Sequence, residues 1–202
     1  MKKWSFNRER DNLKISKEKI QWKGPFSLPK YEKETGLNSI PDLSGVYLFC
    51  FKYEDGYLIE AAGITKSTKT RISTHVREYK KGNYNILNMN YLERGIREEI
   101  WHGWGYAKDN REEFNNKKEI ILPAIEKQLQ SYRIFLYENN DKRIRERMEA
   151  SIMINIYTSK ESWADISPRW MFLKGRFNCE MPIEITNITS DKIYGLPEKM
   201  EI

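Results

Sequence analysis

Histidine and cysteine are scarce in this chain, with two of each among 202 residues. His75 and His102 are too few for a multi-histidine metal site within one chain. Cys50 and Cys179 have no C-x-x-C spacing, so they neither staple a secreted fold nor bind zinc through thiolates. Both thiols are expected to be buried. No apolar run approaches the ~18 residues that span a bilayer, and the opening MKKWSFNRER lacks the apolar core of a secretory signal. The expectation is a cytoplasmic protein without membrane contact. The G-x-S-x-G elbow, the P-loop, the G-x-G-x-x-G fingerprint and H-E-x-x-H are also missing. Catalysis, if present, must rest on carboxylates, tyrosines, arginine or lysine.

What is there points to a folded domain. Six Trp, 12 Tyr and 8 Phe are more aromatic anchors than a disordered chain carries, and the length suits one domain over residues 1–202. The net charge of +6 is concentrated in ITKSTKTRISTHVREYKK, where Lys66, Lys69, Arg71, Arg77, Lys80 and Lys81 outweigh Glu78. Such a run reads either as a polyanion-binding face or as an ordinary solvated helix face.

The first 40 residues, with Pro25, Pro29, Trp4 and Trp22, read as an irregular arm. GVYLFCF (Gly45 to Phe51) and YLIEAAGIT (Tyr57 to Thr65) read as a β-hairpin, with the reversal expected at Asp55-Gly56 because glycine accepts positive φ. Ser67 or Thr68 caps a helix running to Lys80 and stopped by Lys81-Gly82. A short helix or loop is expected around Asn88 to Gly95, a strand around Glu98 to Tyr106, and a helix interrupted by Pro123 over Asn110 to Gln130. RIFLYE (Arg133 to Glu138) reads as a further strand, and Asn139-Asn140-Asp141 caps a helix through Tyr157. Short strands and turns follow from Ser162 onward.

Two features can carry chemistry. Ser67, Arg71, His75 and Tyr79 recur every four residues and so form one polar stripe beside Ile72 and Val76. That is an anion-binding surface or a plain solvated face. On the later helix Glu149 falls inside the apolar arc of Met148, Ile152, Met153 and Ile156, where a carboxylate needs a partner. A metal, a hydroxyl network or a buried salt bridge to Arg71 or Arg145 would serve.

In that order these pieces resemble the GIY-YIG nuclease family. Gly45-Val46-Tyr47 resembles its Gly-Ile-Tyr strand, and Ala61-Ala62-Gly63 resembles its Tyr-Ile-Gly strand with the glycine kept and the tyrosine replaced. The arginine that the family places eight residues after that glycine is matched by Arg71, the following His or Tyr by His75, and its helix-borne glutamate by Glu149. For the family's asparagine, Asn178 is preferred to Asn187. The likeness spans residues 41–160. It implies an α+β fold, a small antiparallel three-stranded sheet flanked by helices, with an N-terminal arm (1–40), a central insertion at 83–130 and a β-rich extension from 161.

The resemblance further implies a stand-alone, restriction-type endonuclease acting on DNA. Glu149 would bind Mg²⁺, with Mn²⁺ as a substitute, and Arg71 would neutralise transition-state charge. Tyr47 would orient or deprotonate the attacking water, alone or helped by His75 or Lys66, since Ala61 replaces the second tyrosine. Cationic neighbours would have to lower its phenol. Lys66, Lys69, Arg77, Lys80 and Lys81 would track a phosphate backbone, and a homodimer would cut both strands. Asn83, Tyr84, Asn85, Asn88 and Asn90 offer groups that can pair with base edges or simply form a polar loop. Trp101, Trp104, Trp163 and Trp170 are expected in the core. The alternative function is a nucleic-acid-binding module on the same scaffold, its catalysis impaired by the loss of that tyrosine.

Overall fold

The computed structural model describes residues 15–168 and 172–202, so Trp4 and Trp170 lie outside the described residues. Where an irregular arm is expected, the chain forms strand β1 (Ser16–Gln21), strand β2 (Lys23–Phe26) and a one-turn helix α1 (Glu32–Thr35). The hairpin follows as β3 (Gly45–Tyr53) and β4 (Gly56–Thr65). Its turn departs from expectation, because the residue with positive φ is Glu54, at 46°. Gly56 is required for a different reason: a Cβ there would come within 2.3 Å of the Lys192 carbonyl oxygen, where the chain returns to pair with β4.

Helix α2 (Thr68–Lys80) leaves the hairpin directly, with the Ser67 hydroxyl accepting from the Thr70 amide as its cap. The inserted segment is less extended than its sequence suggests. It holds β5 (Ile86–Leu87), α3 (Met89–Leu92), a three-residue β6 (Glu99–Trp101), then α4 (Trp104–Asp109), α5 (Arg111–Asn116) and α6 (Lys118–Ser131). The expected long strand at 98–106 ends where Trp104 opens a helix, and the expected single helix at 110–130 is two, with Pro123 inside the second. Strand β7 (Arg133–Glu138) and helix α7 (Lys142–Thr158) fall as read, with Asp141 capping through bonds from Arg143 and Ile144. A 3-10 turn at Ser162–Asp165 precedes β8 (Ile183–Ile188), β9 (Ile193–Tyr194) and β10 (Lys199–Glu201).

The architecture is α+β. The central sheet has the order β2-β7-β3-β4-β9, so an antiparallel β7-β3-β4 trio sits between two short edge strands. A second sheet, β1-β8-β10, joins the arm to the tail through parallel β1–β8 pairing. Alternation along β3 sends Tyr47 and Phe49 to one face, against Ile72 of α2 and Ile121, Ile125 and Leu129 of α6. Val46, Leu48 and Cys50 point to the other, against Met148, Ile152, Met153 and Ile156 of α7 and Ile20, Ile185 and Met200 of the second sheet. Cys50 is buried as expected, whereas Cys179 is exposed. Among the described residues no helix is long and apolar enough to cross a membrane.

Candidate active site

Tyr47 reaches the α2 face because its strand neighbour has no side chain. Gly63 pairs with Tyr47 across β3 and β4, and a Cβ on Gly63 would lie 2.2 Å from the phenol oxygen. Over this gap α2 delivers two residues one turn apart. Arg71 Nε donates to Tyr47 Oη at 3.2 Å, and Tyr47 Oη lies 2.8 Å from His75 Nε2. Since the arginine can only donate, Tyr47 accepts from it and is free to donate its own proton to His75, which then carries its hydrogen on Nδ1.

Burial sets the titration of this group. It pushes the Tyr47 phenol up, Arg71 opposes it, and the charge of Glu149 adds to the rise. The expected net lowering of the phenol by cationic neighbours is therefore not found. Burial, then the Arg71 charge, holds His75 down to about 3, so it is a neutral acceptor at neutral pH.

Glu149 approaches from the opposite layer. Helix α7 packs behind the sheet, yet the charge of Glu149 acts on both Tyr47 and Arg71. Between them β4 carries Ala61, Ala62 and Gly63, three of the smallest residues. The Glu149 carboxyl is half-buried and, among the described residues, has no hydrogen bond or ion pair. Burial raises it to about 7, with Arg71 pulling the other way and Glu146 adding to the rise. The alternative of a salt bridge to Arg71 or Arg145 does not form: Arg71 donates to Tyr47, and Arg145 to Ser44 and the Asn139 carbonyl. A half-buried carboxyl without a partner suits a cation. No cluster of three His, Cys, Asp or Glu exists among the described residues. This donor set fits Mg²⁺, which accepts a single carboxylate and completes its shell with water and substrate phosphate.

The remainder of the stripe divides between the surface and the core. Ser67 caps α2 and donates to Asp42 at 2.8 Å. Tyr79 is buried and meets Tyr132 at 2.9 Å; Tyr132 donates to buried Glu60 at 2.6 Å and accepts from Gln128 at 2.8 Å. Tyr84 joins the site instead. Its ring packs 5.5 Å from that of His75, and burial raises its phenol against the Arg71 charge. The sequence offered it only as a base-contact residue, with no periodicity linking it to α2.

The inserted asparagines are engaged within the chain. Asn83 and Asn85 bond Glu78 and Glu99, while Asn88 caps α3 and donates to Glu98. Asn90 accepts from Lys127. Among the basic residues, Lys80 pairs with Glu126 at 2.9 Å, and Arg77 and Lys81 share Glu78. Lys66 and Lys69 form no ion pair among the described residues. Asn187 accepts from Trp22 and donates to the Pro197 carbonyl, a structural role; Asn178 is exposed in the tail. Trp101 is buried and Trp163 partly so, but Trp104 is exposed, against the expectation of a core residue.

No family model, characterised protein or solved structure matches the chain.

Proposed function

We propose that the chain is a metal-dependent endonuclease hydrolysing phosphodiester bonds in DNA, built on a GIY-YIG-like core. The observation that carries this is the hydrogen-bonded run Arg71–Tyr47–His75, with the unpartnered carboxyl of Glu149 inside its electrostatic reach. As the water oxygen bonds to phosphorus, the bond to the leaving sugar oxygen breaks and that oxygen keeps the electron pair and takes a proton from solvent, while the water proton passes to Tyr47 Oη and the Tyr47 proton to His75 Nε2. A concerted relay never exposes a free phenolate, which burial opposes. Arg71 holds the phenol oxygen through Nε, and its two Nη groups, without a hydrogen bond among the described residues, are available for phosphate oxygens. Burial is the main cause that holds His75 down, and an anionic phosphate at Arg71 would offset only the smaller contribution of the Arg71 charge. Mg²⁺ held by Glu149 would polarise the phosphate.

The second reading is a DNA-binding module with impaired catalysis. It is favoured by Ala61 at the position of the second tyrosine and by the upward shift of Tyr47. Supercoiled plasmid incubated with protein in Mg²⁺ and in EDTA decides between them. Cutting that requires Mg²⁺ and is lost in Glu149→Ala supports the nuclease; binding without cutting, in Mn²⁺ as well, supports the module.

A further inference from the structure

The ring of Tyr84 packs on three others: His75 at 5.5 Å, Tyr79 at 5.0 Å and Trp104, whose ring lies 4.9 Å away and tilted by 39°. Trp104 is 59% exposed and has a φ of 55°, a left-handed conformation that bulky residues seldom adopt. It is also fixed in place: its amide donates to the Asn83 carbonyl at 2.7 Å, and the Gly103 amide donates to Asn85 Oδ1 at 2.8 Å. An exposed indole held in a disfavoured conformation by its surroundings contributes little to the core, and such strain gathers where ligands are contacted.

Charge identifies the occupant. Arg71 shares the Tyr47 hydroxyl with His75, and the His75 and Trp104 rings both pack on Tyr84, so an anion site and an exposed aromatic face meet at one ring. A nucleotide presents that pair, a phosphate and a flat base joined through a sugar. We infer that Trp104, backed by Tyr84, stacks an unpaired base of the DNA strand whose phosphate lies at Arg71 and His75. This inference rests on the DNA reading above and adds a substrate class: DNA in which a base near the cut has left the stack, at a mismatch, a gap or a flap. Stacking of this kind is tolerant of sequence, since every base has a π-face.

The test uses a duplex carrying one unpaired 2-aminopurine, whose fluorescence falls when it stacks. Wild-type protein in Mg²⁺-free buffer is expected to quench it. Trp104→Asn, which tolerates the left-handed conformation, is expected to abolish the quenching and weaken binding about 5- to 150-fold, while Trp104→Phe keeps most of both. Unchanged quenching and binding in Trp104→Asn overturns the platform, and plasmid cutting by the wild type then leaves the nuclease reading standing. Wild-type protein that binds no DNA at low salt overturns both.

Discussion

Gly63 and Tyr47 face each other across β4 and β3, and a methyl group on Gly63 would sit 2.2 Å from the Tyr47 oxygen and 2.3 Å from the carbon that bears it. The glycine therefore makes room for the phenol that α2 engages. Gly63→Ala is expected to displace the Tyr47 ring, lower stability by about 1–3 kcal/mol and abolish plasmid cutting. In the Gly63→Ala/Tyr47→Ala double variant the stability losses should fall well short of additive. Additive losses in urea titrations would show that the two side chains do not compete for one space.

Glu149→Gln should separate stability from activity. A carboxyl raised to about 7 from an ordinary value near 4.5 contributes stability that is complete below pH 4.5 and is lost as pH rises through 7. The amide escapes that loss, so at pH 8 the variant should be about 1–3 kcal/mol more stable than wild type in Mg²⁺-free buffer. Added Mg²⁺ should raise the Tm of the wild type alone. A variant that is destabilised, or that responds to Mg²⁺ like the wild type, would remove Glu149 as the ion's ligand.

His75 gives the opposite sign at acid pH. Its folded value of about 3 lies below the unfolded value near 6.5, so the unfolded chain takes up the proton first. Stability tied to neutral His75 is full above pH 6.5 and is lost as pH falls toward 3, at up to about 1.4 kcal/mol per pH unit. Denaturant midpoints between pH 7 and 4 should fall less steeply in His75→Gln. Equal slopes in the two proteins would mean that His75 is not a buried neutral acceptor.

The buried hydroxyl network is a further point of sensitivity. Tyr132→Phe leaves Glu60, Gln128 and Tyr79 short of a partner, and is expected to cost about 1–3 kcal/mol. Glu60→Gln keeps an acceptor oxygen for Tyr132 and should be milder. The order of the two midpoints in a thermal melt checks this.

Salt dependence should distinguish the free lysines from the paired ones. Lys66 and Lys69 have no ion-pair partner among the described residues, so replacing either with Gln should lower the slope of log K against log salt by about 0.9. Lys80, paired with Glu126, should contribute less. Equal slopes for all three variants would contradict a backbone track along this side of α2.

What was legible in the sequence was local. Short aromatic-rich apolar runs marked β3 and β7, and the hydroxyl and carboxylate caps at Ser67 and Asp141 placed α2 and α7, because each signal lies within a few residues of its effect. The resemblance that led to Tyr47 and the spacing that led to Arg71 and His75 name one phenol and the two groups that hydrogen-bond it. Non-local features were not legible. Residues Ser16–Gln21 become a strand only because residues Ile183–Ile188 run beside them. Asn83, Asn85 and Asn88 look like a free polar loop until Glu78, Glu99 and Glu98 are seen to meet them. Tyr84 and Trp104 carry no periodic signal, and their roles follow from packing against a helix read separately. The turn of the hairpin was misread because Glu54, not a glycine, takes the left-handed conformation.

The pairing of β1 with β8 also sets an order on assembly. The hairpin, α2, α6 and β7 can meet as soon as residues up to Glu138 are available, whereas the cover over Ile20, Ile185 and Met200 waits for the last twenty residues to close on the first strand. Contacts so distant in sequence form late. The layer that presents Glu149 is thus expected to close after the layer that presents Tyr47, Arg71 and His75. A chain shortened before Ile183 should hold its α2 face while the amides of α7 exchange with solvent far faster than in the full protein. Equal protection in the two chains would show that the α7 layer closes without the tail.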